Sequence, residues 1–121
     1  MWKIEKKFTF EAAHRLPHHD GKCARLHGHS WRGAVVCEGS ELQQSGPKQG
    51  MLLDFGFISD KVEKLVEESL DHYYLNESTG LSNPTCEEVA RWIYRKLRPE
   101  VPMLSAIVIE ETCSSRCEYR E

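Results

Sequence analysis

The sequence predicts an α+β domain, an antiparallel sheet carrying two helices on one face. Three observations lead there. A long alternating apolar–polar segment opens the chain, two amphipathic helical stretches follow one another in its middle, and a second β-rich stretch closes it. Helices grouped between strands, rather than alternating with them, point to α+β and not to βαβ units. The 121 residues suit one domain, residues 1–121, large enough to bury roughly two thirds of its unfolded surface.

The first strand is expected over Trp2 to His14. Trp2, Ile4, Phe8, Phe10 and Ala12 share one parity, and Lys3, Glu5, Lys7, Thr9 and Glu11 the other, with Lys6 alone out of pattern. This is the signature of a half-buried strand, and it puts His14 on the apolar face. Arg15 to Ala24 has loop chemistry (Pro17, Gly21, His18, His19, Asp20). A second strand runs from Leu26 to Glu38, with His27, His29, Trp31, Gly33 and Val35 on one face. Gly39 to Gly50 reads as a hairpin connection and Met51–Leu53 as a short apolar strand. Asp54 or Ser59 caps a helix whose stripe is Ile58, Val62, Leu65, Val66 and Leu70. Asn76 to Pro84 is expected to be a loop. Thr85 and Glu88 form a capping box for a second helix that buries Val89, Trp92, Ile93 and Leu97 and ends before Pro99. A strand over Ser105 to Cys113 and a short last strand over Arg116 to Arg120 complete the order. The sheet has one face left to cover, and in so small a chain another subunit is the expected cover.

Composition excludes several classes. Sixteen basic and 19 acidic residues give a net charge of -3. No basic run is present, so nucleic acid is not an expected partner. No stretch is apolar enough to span a bilayer, and the N-terminal segment lacks the apolar core of a signal peptide, so no membrane and a cytoplasmic location are expected. The five cysteines are odd in number and do not suggest a disulfide framework. Cys113 and Cys117 are read as small buried or turn residues.

His27-Gly28-His29 is the sharpest chemical signal. Residues two apart on a strand point to one face, so both imidazoles can reach one metal ion, while Gly28 leaves the opposite face open. His14, ending a strand on its core face, is the best third ligand. Three histidines with one open position are the pattern of catalytic zinc; the alternative is a histidine pair without metal. Cys23 precedes His27 by four residues. A cation close by favours the thiolate, the form that acts as base or nucleophile; a buried structural cysteine or a fourth ligand are the alternatives. Asp71-His72 ends the first helix, where an imidazolium is favoured and a carboxylate can fix its tautomer, or where an ordinary polar helix end stands. His18 and His19 are assigned to solvent. Glu111 follows Ile107 and Ile109 in parity. It is either a charged strand end in water or a buried carboxylate, which must then be paired, as by a ligand edge with two adjacent N–H donors.

Phe10-Glu-Ala-Ala-His14, Cys23-x-x-x-His27-Gly-His29, Leu53-Asp-Phe55, Leu70-Asp-His72, Asn83-Pro-Thr85 and Glu111-Thr112 occur in the order found in the 6-pyruvoyltetrahydropterin synthase family, which the chain resembles from about Phe8 to Tyr119. The ending Glu-Thr-Cys-x-x-x-Cys is similar to the bacterial branch that makes 6-carboxy-5,6,7,8-tetrahydropterin. The resemblance implies a T-fold of four antiparallel strands with two helices on one side. It implies subunits joined into a barrel, commonly a homohexamer of two stacked trimers, with active sites between subunits. It implies zinc on His14, His27 and His29, Cys23 as general base with Asp71 and His72 as proton-transfer partners, and Glu111 as anchor of the pterin ring, with Thr85 and Glu87 near it. The implied enzyme is a lyase that converts 7,8-dihydroneopterin triphosphate to 6-carboxytetrahydropterin, acetaldehyde and triphosphate, in the route to queuosine and other 7-deazapurines. The eukaryotic-type pyruvoyl-forming synthase carries the same constellation.

Overall fold

In the computed structural model, which describes residues 1–121, the N-terminal alternation becomes β1 (Trp2–His14) and the histidine-bearing strand becomes β2 (His27–Gly39). They pair antiparallel along their full lengths, with His14 opposite His27, Ala12 opposite His29 and Phe10 opposite Trp31. Directly opposed residues share a face, so the register alone gathers the three histidines at one end of the strand pair. The Phe10 and Trp31 rings stack 5.6 Å apart beneath them.

The helix α1 (Phe55–Leu65) starts at Asp54, whose carboxylate accepts from the Gly56 N–H, and continues as one wide π-helical turn over Val66–Leu70. Then come a two-residue strand β3 (Tyr73–Tyr74), a short helix α2 (Leu75–Ser78), the helix α3 (Cys86–Leu97), and the strands β4 (Leu104–Thr112) and β5 (Ser115–Tyr119). The sheet order is β3-β1-β2-β4-β5, antiparallel except for the β1–β3 pairing at Ala12 and Ala13. β3 touches β1 only there, and β5 has no neighbour on its outer side. Most of β1's outer edge therefore carries no strand.

The main core lies between one sheet face and the two long helices. Phe8, Phe10, Trp31, Val35, Ile107 and Ile109 meet Ile58, Val62, Val66 and Leu70 from the α1 side and Val89, Ile93 and Leu97 from α3. Gly33 is required by this packing, since a Cβ there would stand 2.5 Å from Phe8 Cζ. The opposite face carries only a small apolar group, Ala34, Val36, Ala106 and Val108.

Several expectations are corrected. The sheet has five strands rather than four, because Tyr73–Tyr74 adds a parallel edge piece. Met51–Leu53 forms no strand: β4 occupies the side of β2 that it would need, while Met51 bonds instead to Gln43. Gly39 to Gly50 thus leads into a helix rather than closing a hairpin. The expected loop Asn76–Pro84 begins within α2. The capping box is half formed, since Thr85 Oγ1 accepts from the Glu88 N–H while the Glu88 carboxylate turns to Arg91. An exposed guanidinium one turn on competes for that carboxylate with the lone N–H at the cap.

Candidate metal centre

The ring centroids of His14, His27 and His29 lie 4.5, 5.2 and 4.9 Å apart in the three pairings. One nitrogen from each lies within 4.8 Å of the others. A tetrahedral zinc ion would hold such nitrogens roughly 3.3 Å apart, so modest side-chain rotation closes the set.

Backbone carbonyls determine which nitrogens face inward. His14 Nδ1 donates to the Pro84 carbonyl at 2.8 Å, and His27 Nδ1 to the Arg25 carbonyl at 2.7 Å. A carbonyl only accepts, so each Nδ1 carries the proton and each neutral ring presents an Nε2 lone pair. His14 Nε2 and His29 Nε2 are buried without any partner. Buried polar atoms ordinarily find one, and a cation between these rings would supply it. The donor set therefore fits a metal ion. His14 is fully buried, and that burial holds its pKa below the ordinary 6.5 against the opposing pull of Pro84 and Glu111. A neutral ring is the form that ligates.

Glu111 faces the same centre. Its carboxylate oxygens lie 3.9 Å from His14 Nε2 and 3.7 Å from His29 Nε2, too far for hydrogen bonds. The β4–β5 register slips between Glu110 and Thr112, leaving Glu111 as the unpaired residue of a bulge. Bulges re-aim side chains, and this one turns Glu111 toward the histidines. Glu110 lies on the other face with Arg32 and Arg116.

Asp71 and His72 stand at the outer edge of β1. The π-helical turn closes with the Asp71 N–H on the Val66 carbonyl at 2.8 Å. Asp71 Oδ1 accepts from the Glu11 N–H at 2.8 Å, its Oδ2 lies 2.9 Å from His72 Nδ1, and the His72 N–H donates to the Glu11 carbonyl. The Glu11 N–H and His72 keep the Asp71 carboxyl below its usual pKa. His72 has φ of 64°, a left-handed conformation uncommon for a non-glycine residue and often found at functional positions. A cleft of about 550 Å³ is lined by Gly28, His29 and Ser30 and by His72, Tyr73 and Tyr74.

Cys23 sits half-buried in a short turn, Lys22–Ala24, on the connection between β1 and β2. Within one chain it makes no hydrogen bond to Asp71 or His72. Thr85 caps α3, and Glu87 is exposed on its first turn. His18 and His19 are exposed, as expected.

Sequence reasoning missed three supports. Pro84 and Arg25 act through carbonyls that any residue offers, so their identity gives no signal. Asn76 brackets the residue after His14, accepting from the Arg15 N–H and donating to the Arg15 carbonyl. An Asn inside a presumed loop carries only a weak hint of this.

Comparison with known proteins follows the same outline. The family model described as 6-pyruvoyl tetrahydropterin synthase matches residues 3–121. The chain is 50% identical to the 6-carboxy-5,6,7,8-tetrahydropterin synthase of Synechocystis sp. over 98% of its own length and 93% of that protein. It is 34% identical to the protein of that name from Haemophilus influenzae, with both chains fully covered. Among solved structures, the 6-pyruvoyl tetrahydropterin synthase of Caenorhabditis elegans superposes with a TM-score of 0.84 at 25% identity, covering 99% of this chain and 95% of that one.

Proposed function

This chain belongs to the 6-pyruvoyl tetrahydropterin synthase family, and from that premise we propose that it is a zinc-dependent 6-carboxy-5,6,7,8-tetrahydropterin synthase. It would convert 7,8-dihydroneopterin triphosphate and water to 6-carboxytetrahydropterin, acetaldehyde and triphosphate, in the cytoplasm, on the way to queuosine and related 7-deazapurines. The observation that carries the reading is the convergence of three histidines, two of whose inward Nε2 atoms are buried and unpartnered. No helix is long and apolar enough to cross a membrane.

His14, His27 and His29 would hold the ion. When bound, zinc supplies Lewis acidity to substrate oxygens at its fourth position. The Cys23 thiolate takes a carbon-bound proton. Asp71, kept ionised by the Glu11 N–H, orients His72 through Nδ1 and leaves its Nε2 to exchange that proton. Glu111 accepts two N–H groups from the pterin edge, with Thr85 and Glu87 nearby. Because Cys23 makes no hydrogen bond to Asp71 or His72 within one chain, the working site would join Cys23 of one subunit to His72 of the next. The subunits assemble edge to edge, their sheets closing into a barrel and two trimers stacking as a homohexamer.

Incubation of the zinc-loaded protein with 7,8-dihydroneopterin triphosphate is expected to yield acetaldehyde and triphosphate in equal amounts. Triphosphate without acetaldehyde would instead identify the pyruvoyl-forming reaction, the second reading, which the likeness to the nematode structure favours. No turnover at all would leave a non-catalytic zinc- or pterin-binding protein.

A further inference from the structure

Away from the histidines, two thiols meet between α3 and the terminal strand. Cys86 is the first residue of α3 and Cys117 lies in β5. Their sulfurs are 3.2 Å apart although 31 residues separate them in sequence. Both are half-buried at the border of the main core. Cys86 Sγ also lies 3.5 Å from the Ile109 carbonyl, and Ile109 is the residue opposite Cys117 across β4–β5. The backbone of both elements is thus fixed around the pair by helix and ladder bonds. A disulfide bond measures about 2.05 Å, so bond formation requires the sulfurs to approach by roughly 1 Å more.

We propose that Cys86 and Cys117 are a reversible disulfide site, made and broken by exchange with a small-molecule disulfide. The Cys117 thiolate attacks one sulfur of the oxidant, breaking its S–S bond and releasing one thiolate. Cys86 gives up its proton to that thiolate and attacks the Cys117 sulfur, expelling the second thiolate, which takes from water the proton that Cys117 had released to it. One disulfide is reduced to two thiols, and the two cysteines lose two hydrogens between them. The contact favours this order: hydrogen bonding from Cys86 lowers the Cys117 pKa, whereas that bond and burial raise the Cys86 pKa. The bond would tie the start of α3 to β5. Pro84, whose carbonyl holds His14, is two residues from Cys86, so the clamp fastens the backbone that supports the metal centre. Cys113 is exposed on the β4–β5 turn and has no such partner.

The test equilibrates the full zinc-loaded protein in glutathione buffers of graded oxidised-to-reduced ratio, alkylates remaining thiols and maps the peptides by mass spectrometry. One Cys86–Cys117 cross-link is expected to appear as the ratio rises, to vanish on return to reduced glutathione, and to persist in Cys113→Ser. The oxidised protein is expected to melt at a higher temperature than the reduced one. The inference is overturned if both thiols alkylate at every ratio, if only glutathione adducts accumulate, if Cys113 pairs with Cys117, or if oxidation lowers the melting temperature. Every reading except the Cys113→Ser control comes from the unsubstituted chain.

Discussion

His14 commits its Nδ1 proton to Pro84 and hides its other nitrogen from water. Asn at this position can keep the Pro84 bond through its amide N–H but cannot titrate or ligate through a second ring nitrogen. His14→Asn is therefore expected to fold and to lose zinc. It also changes the response to acid. The folded-state pKa of His14 lies below the ordinary 6.5, so the unfolded chain binds the proton more tightly. In the metal-free protein this contribution is intact above the unfolded pKa and is lost as pH falls through 6.5 toward the lower folded value. One such proton gives a slope of at most about 1.4 kcal/mol per pH unit. Urea titrations of metal-free protein at stepped pH should show a shallower acid loss in His14→Asn; an unchanged slope would refute the assignment. At Glu111 the expectation concerns binding. Glu111→Ala should weaken a non-reacting pterin by about tenfold to a hundredfold, the worth of a charge-assisted hydrogen-bonded pair, while Glu110→Ala changes it little. Isothermal titration decides, and the reverse result would move the anchor to the other sheet face. The side of the strand that Glu111 occupies is legible from its parity with Ile107 and Ile109. The bulge that turns it toward the histidines is not, because a register slip arises between strands and leaves no mark within either.

Among the elements, α3 offers the clearest energetic test. Thr85 satisfies one of the otherwise unpaired N–H groups at its start, whereas Glu88 is engaged by Arg91 and does not complete the reciprocal bond. Thr85→Ala should cost about 1 kcal/mol of stability, Thr85→Ser much less, and Glu88→Ala no more than about a few tenths, since an exposed ion pair contributes little. Denaturant midpoints measure all three; a Glu88→Ala loss as large as that of Thr85→Ala would mean that the full box forms in solution. The long strands and helices were readable because their periods of 2 and 3.6 persist over many residues. β3 and α2 were not: two and four residues are too few to display a period, and both exist because the turn after Leu70 returns the chain to β1. Met51–Leu53 failed for a related reason. Its apolar run gives a strand-like local pattern, but the partner strand was already committed to β4.

At the scale of the whole molecule, the proposed sharing of one site between Cys23 of one subunit and His72 of the next makes a prediction that no single chain can satisfy. Cys23→Ala and His72→Ala proteins should each lose activity, by about 10²- to 10⁴-fold for the base. Dissociated, mixed in equal amounts and reassembled, they should regain about a quarter of the sites, those pairing an intact Cys23 with a neighbour's intact His72. Should mixing restore nothing, the three residues act within one chain and the shared site is refuted. The same sheet has a consequence for the protein before it assembles. The outer edge of β1, bare except near Ala12 and Ala13, and that of β5 are unsatisfied ladders at opposite ends of one sheet. In the proposed closed ring each would be consumed by a neighbour. In an isolated chain both accept any extended peptide, and a mispairing that fails to close can keep adding chains without limit. Unclosed assemblies would thus be exposed to polymerisation, and closure of the proposed ring would protect solubility as well as complete the site.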